Sequence, residues 1–426
     1  MRLKLLVTAA IAMTLSLSAC VTNETRPIPK IAAKQATVHI PEAELLDVGI
    51  RVFDPGIPKN IEGDEEALAK KRIYPDLRKA EARYMPTLLR QTLEETAHWG
   101  AVRVIPNNAE FVDVIVTGKV IDSNGGFLAI DISAQDAAGR VWIKDKRYSS
   151  LVDLGAYKTQ ASLKARDPFQ NVYSEIANDL VLARDKLTAL DRENIRRVAN
   201  LKFAADLAPD AMAGMTTVDK NGITQVTRLP ADGDPTLTRI NRIRERDTAV
   251  VDTVNDYYAS FADNIDDSYD SWRQTSFSEL EKEMRARSAA RTRTVLGAAA
   301  LIAAIFAPNS CSTYDSCRIN NAARTAGTMG GIAAVLSGIK KYADARVHAD
   351  ALKELTQSFQ SEVAPQVVDV EGHTLRLTGT AEDQYREWRK LLKQLYLEET
   401  GAAAAPPPAP PAPPATATNA NKPLSN

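Results

Sequence analysis

Apolar positions recur along this chain with two periods, and each period predicts a different element. Val48-Gly-Ile-Arg-Val-Phe53 alternates and is rich in β-branched residues, the mark of a half-buried strand. Asp54-Pro-Gly-Ile-Pro58 ends it with turn residues. From Asp76 to Trp99 the spacing changes to that of a helix, carried by Leu77, Ala80, Tyr84, Leu88, Leu89 and Leu93. Pro86 in this run predicts a kink or a fresh helix start, and Gly100 predicts the stop. Strands follow at 102–105, 112–121 and 127–134, the last two joined by a tight turn at Asn124-Gly125-Gly126. A further strand, Arg140 to Lys144, leaves the turn Asp136-Ala-Ala-Gly139. One sheet with one helix packed on it accounts for residues 37–153, an α+β domain.

The helical period dominates from 154 to 401. Phe169, Val172, Ile176, Leu180 and Leu187 mark a helix with Pro168 in its first turn. Thr188-Ala-Leu-Asp191 makes a cap and a corner before a second helix that ends at Leu207. Residues 216–229 read as a β-hairpin turning at Asn221-Gly222, and a calcium loop at Asp219 fails for want of further acidic ligands. A long helix is predicted between Pro235 and Pro308, with Val250, Val254, Tyr258, Phe261, Ile265, Tyr269 and Trp272 as its buried stripe. Asp263, Asp266, Asp267 and Asp270 read as its solvated face, a cation site or an acid/base pair being the alternative.

Two uncharged, small-residue-rich runs come next, 294–307 and 326–339, predicting an apolar helical hairpin. Arg285, Arg287, Arg291 and Arg293 precede the first run; Lys340 and Lys341 follow the second. Antiparallel folding gathers these cations at one end, where they suit a membrane surface or a partner. Fourteen helical residues span about 21 Å against a hydrocarbon core of about 30 Å, which disfavours full crossing. Burial in a core or between two copies, and shallow insertion beside anionic headgroups, both stay open. A helix over 349–362, a short β-hairpin over 366–378 and a last helix opened by Thr380-Ala-Glu-Asp383 complete the region. That helix carries Tyr385, Trp388, Leu391, Leu392 and Leu395. Residues 402–426 are Ala/Pro-rich, too poor in large apolar groups for a core, and read as disordered.

The amino terminus adds an address. Arg2 and Lys4 precede the short apolar run Leu5 to Leu17, and small residues follow, as in an export signal. Leu17-Ser18-Ala19-Cys20 resembles the lipobox of bacterial lipoproteins. The resemblance implies removal of residues 1–19, lipid (palmitate among its acyl chains) on Cys20, and a tether over 20–36 that includes Pro27 and Pro29. Val21 rather than Asp after the cysteine implies the outer membrane, facing the periplasm, with the inner membrane as the alternative. An ordinary secretory signal is the competing reading, and it too takes the chain out of the cytoplasm. Of the three cysteines, Cys311 and Cys317 then remain, and an oxidising envelope favours a disulfide between them. A metal or redox pair fits less well, with no His nearby and no Cys-x-x-Cys spacing.

Residues 37–153 carry Ala101-Val-Arg-Val-Ile-Pro106, Val112-Asp-Val-Ile-Val-Thr-Gly-Lys-Val120 and Asp136-x-x-Gly-x-Val-Trp142. With the strand and helix before them, they resemble the small α/β domain of penicillin-binding-protein activators and of the curli-secretion lipoprotein. The resemblance describes a fold and names no site. A formal charge of −1 provides no general field for nucleic acid. The four histidines, His39, His98, His348 and His373, are scattered, and no nucleophile elbow, P-loop or zinc-ligand spacing occurs. The expectation is a non-catalytic lipoprotein, held to the membrane by its N-terminal lipid, that binds another envelope protein or a second copy. No cofactor is implied. The alternative is a cell-wall or glycan hydrolase whose site is assembled from distant residues.

Overall fold

The structure, a computed structural model, describes residues 28–153, 155–231, 233–306, 366–370, 373–377 and 381–400. It is a mixed α/β chain built around a five-stranded sheet. Strands β1 (Val48–Arg51), β2 (Val102–Ile105), β3 (Val114–Asn124), β4 (Phe127–Asp136) and β5 (Val141–Leu151) lie in the order β2-β1-β3-β4-β5. β1 is parallel to both β2 and β3, with Val48 opposite Val102 on one side and Val114 on the other. β3, β4 and β5 form an antiparallel meander. Parallel neighbours need a crossover. After the single-turn helix α1 (Glu65–Lys70), helix α2 (Pro75–Glu95) provides it between β1 and β2.

Val114, Val116, Val120, Ile130, Ile132 and Ala134 form the buried face of the meander. Met85, Leu89 and Leu93 of α2 pack in the same core. So do Val172, Ile176 and Leu180 of α4 (Gln170–Asp185), which follows the short helix α3 (Gln160–Ala165). Two helices therefore cover the sheet where one was expected, and its core draws on residues well past 153.

Pro86 lies inside α2 and does not restart it. A proline cannot donate to the carbonyl four residues back, and the freed Ala82 carbonyl accepts the Phe53 N–H at 2.9 Å instead. The chain leaving β1 is stitched to the helix at that point. Gly100 is not the helix stop either. The left-handed residue is Ala97, at φ 56°, while Gly100 sits where a Cβ would lie 2.3 Å from Asp47 Oδ1. Pro168 lies outside α4, whose N-cap is Phe169. Thr188 and Asp191 form the expected cap of α5 (Ala189–Leu207), as a reciprocal capping box.

The tether also needs correction, because residues 28–36 are docked. Asn171 accepts from Ile31 N–H and donates to the Pro29 carbonyl, both at 2.9 Å. Two turns further along the same face, Asn178 repeats the arrangement with Lys34 N–H and the Ala32 carbonyl. Ala36 N–H reaches the Thr96 carbonyl at 2.8 Å. Main-chain pairing of this kind does not depend on the strap's side chains, so composition alone reads it as free.

The hairpin β6 (Thr216–Val218) and β7 (Thr224–Val226) turns at Asn221-Gly222 as expected. Asp219 Oδ1 is occupied there by the N–H groups of Asn221 and Ile223. Helix α6 (Pro235–Phe306) runs for 72 residues, about 108 Å. Its predicted stripe from Val250 to Trp272 is buried. Asn255 accepts the Val104 N–H at 2.9 Å, so α6 also caps the open edge of β2. The four aspartates do not form one solvated face. Asp263 and Asp267 are exposed, but Asp266 accepts from Tyr84 Oη at 2.7 Å and Asp270 is buried beside Arg273. The helix is covered over more of its circumference than its apolar stripe suggests.

Beyond β8 (Gln366–Val370) and β9 (His373–Leu377), the last helix, α7 (Ala381–Thr400), returns to the first part of α6 and to α5. Trp388, Leu392 and Leu395 join Phe203, Ile240, Ile243 and Val251 in a second core. Among the described residues no helix is long and apolar enough to cross a membrane.

Candidate functional site

Two clusters of buried charge meet α6 at different points along its length, one around Asp247 and one around Arg273. The first lines a cavity of about 130 Å³ where the β1–β2 edge meets α5, α6 and α7. Asp47, Asp113 and Asp247 face it together with Arg103, Arg244 and Tyr385. β3 begins just after Asp113, and β1 just after Asp47, so parallel pairing sets these two side by side. Asp113 Oδ2 accepts the Asp47 N–H at 2.9 Å, and Asp47 Oδ1 accepts the Ala101 N–H at 2.9 Å. Asp247, on α6, accepts from Trp388 Nε1 and from Tyr385 Oη, each at 3.2 Å. Its neighbour Arg389 lies over the rings of Phe111 and Phe203 and donates to Asp206 at 2.5 Å.

Burial sets the protonation chemistry of this cavity. It pushes Asp113 up to about 6, reinforced by the Asp47 charge and opposed by the Asp47 N–H, Arg196 and Arg244. It raises Asp247 too, against Arg389, Tyr385 and Trp388. Burial lowers Arg244, which Asp113, Asp47 and Asp247 hold charged. Each carboxylate thus already has partners, and the cavity is large enough to hold water. Ligand clefts occupy roughly 300–1,000 Å³. The arrangement is a polar seam between the sheet and the helices.

Asp113→Asn tests the seam. In the folded chain Asp113 loses its proton near pH 6, in the unfolded chain at about 3.9. The stabilisation from the neutral form is therefore complete below pH about 4 and is lost as pH rises through 6. Asparagine stays neutral and still accepts the Asp47 N–H. The variant is expected to match the native chain at pH 4 and to exceed it by on the order of 2 kcal/mol at pH 8. Denaturant midpoints at pH 4, 6 and 8 check this, and a constant difference across the three would contradict it.

The second cluster clamps α6 to the sheet. Arg273 donates to Asp167 at 2.7 Å and to Asp270, with its guanidinium 4.5 Å from the Tyr269 ring centroid. Burial opposes its charge, but Asp167, Tyr84, Tyr269 and Asp270 hold it charged well beyond its usual range. Glu81, fully buried on α2, accepts from Ser123 Oγ at 2.5 Å and Tyr269 Oη at 2.8 Å. Burial raises its pKa, against Arg78, Ser123, Tyr269 and Arg273. The β3–β4 turn closes over this cluster so tightly that a Cβ on Gly125 would lie 2.0 Å from the Arg273 carbonyl oxygen. Only glycine fits there.

Of the residues singled out from the sequence, Arg285, Arg287, Arg291 and Arg293 lie on α6. Cys20, Cys311, Cys317, Lys340 and Lys341 lie outside the described residues, as do the second apolar run, the helix over 349–362 and the tail. Neither buried cluster has a local motif in the sequence. Its one trace is charge set into the apolar spacing, such as Arg273 beside Trp272 or Asp247 between Ile243 and Val250. Among the described residues no group of His, Cys, Asp and Glu has the arrangement of a metal site. No family model, curated protein or solved structure matches this chain.

Proposed function

We propose that the chain is a lipid-anchored protein of a bacterial envelope with a non-catalytic role in binding or assembly. The observation that carries the proposal is Leu17-Ser18-Ala19-Cys20 at the end of a basic-then-apolar leader. Cys20 takes the lipid, in the outer membrane by the rule that Val21 satisfies. The carboxylate-lined cavity is where a hydrolytic site would lie. Its small volume and its committed carboxylates favour assembly over hydrolysis. The likeness of 37–153 to penicillin-binding-protein activators and the curli-secretion lipoprotein makes another envelope protein, or a second copy, the partner class.

The apolar hairpin 294–339 and a Cys311–Cys317 bridge belong to the same reading, as the part that meets a partner or a second copy. Intact mass of the purified mature protein tests the anchor. A start at Cys20 with added acyl chains is expected; a start beyond residue 20, or no added lipid, overturns it.

A further inference from the structure

The strap and the long helix place two separate features at one end of the molecule. The strap begins where Asn171 Nδ2 holds the Pro29 carbonyl and Arg166 holds that of Ile31, at the start of α4. The next residue, Asp167, pairs with Arg273 of α6, while Lys164 pairs with Asp266 and Asp267. The β3–β4 turn meets α6 at Arg273, Phe277 and Leu280. These contacts all fall on residues 266–280 of α6, whereas α7 packs on it far upstream, around Asp247. Past Leu280 the same helix carries Arg285, Arg287, Arg291 and Arg293, then an uncharged run to Phe306.

Helical rise puts Thr294 about 21 Å beyond Leu280 and Phe306 about 39 Å beyond it. Residues 21–27 separate Cys20 from the first described residue of the strap, Ile28. Fully extended, they let Cys20 lie at most about 28 Å away. We propose that the uncharged end of α6 enters the same bilayer as the lipid on Cys20, with its four arginines at the anionic headgroups of that leaflet. The distances rest on the lipoprotein reading above; the helix's own affinity for lipid does not. The occupant is an anionic phospholipid surface: four cations ahead of an uncharged stretch match negative headgroups over hydrocarbon. About 20 Å of apolar helix reaches into a leaflet without crossing about 30 Å of core. Two contacts at one end also set the body's orientation.

The test uses the full mature chain carrying Cys20→Ser, which has no lipid. It is expected to co-sediment with vesicles of phosphatidylethanolamine and phosphatidylglycerol at low salt, and not with phosphatidylethanolamine–phosphatidylcholine vesicles. Changing Arg285, Arg287, Arg291 and Arg293 together to Gln is expected to lower partitioning on the order of 1,000-fold. Leu301→Asp lowers it without altering the charge collar. Thermal melts confirm that both variants fold. If the lipid-free chain binds neither vesicle while the lipidated chain stays at the membrane, the proposal fails and the anchor stands. If it forms a discrete oligomer without binding vesicles, a second copy covers α6 and the proposal is likewise overturned. Binding by the lipid-free chain alongside an unacylated native protein supports the helix and removes the anchor.

Discussion

Arg273→Met is expected to cost about 3–5 kcal/mol of stability, because it leaves two carboxylates buried without their counter-charge. Arg273 is itself 3% exposed, and its donors go to Asp167 on the turn before α4 and to Asp270 one turn back on α6. Methionine keeps the aliphatic stem but not the guanidinium, so a cavity at that group adds to the electrostatic loss. Arg273→Lys keeps a charge but cannot bond both carboxylates in one plane, and is expected to fall between the two. Adding Asp270→Asn to the methionine variant removes one stranded charge and recovers part of the loss. Urea unfolding of the four proteins gives the order: native, lysine, double variant and methionine alone at the bottom. If methionine is neutral, burial alone holds α6 to the sheet. The clamp sits where the strap begins, so weakening it also loosens the end proposed to face lipid.

Periodic features of the sequence survive in the structure because burial enforces them. The stripe from Val250 to Trp272, the cap at Thr188, the turn at Asn221-Gly222 and the apolar face of α7 are each read by neighbours within a turn or two. What the sequence hides depends on partners far along the chain. Pro86 continues its helix only because Phe53 takes the freed carbonyl. Ala97 ends that helix in a left-handed conformation usually left to glycine, since Gly100 is needed beside Asp47. Residues 28–36 have the composition of a linker, yet two asparagines seven apart on α4 hold their main chain. Asp270 looks like one more surface carboxylate until Arg273 and Asp167 are brought to it. The cavity is the extreme case: its aspartates come from positions 47, 113 and 247, and no local window contains two of them.

Trp388→Ala is expected to cost about 3–5 kcal/mol and to release α7. The indole is 1% exposed in the second core, and its Nε1–H is one of the donors that make the buried Asp247 tolerable. Two losses therefore combine, a cavity where the ring stood and a carboxylate with one donor fewer. Trp388→Phe separates them: it refills most of the volume, leaves the hydrogen bond unmade, and is expected to cost about 1–3 kcal/mol. Hydrogen exchange locates the damage. Amides of 381–400 are expected to lose protection first, followed by those of α5 and of α6 near Asp247. The sheet, α2 and α4 have their own core and are expected to keep theirs. A uniform loss across the sheet would show a single cooperative unit instead, with α7 as integral to it as β3. The predicted pattern follows from where the chain closes. α7 is the only described helix after residue 306, and it packs on the first part of α6. Freeing that grip leaves the Arg273 clamp in place, so lipid binding by α6 is expected to persist in Trp388→Ala at temperatures where α7 has already come away.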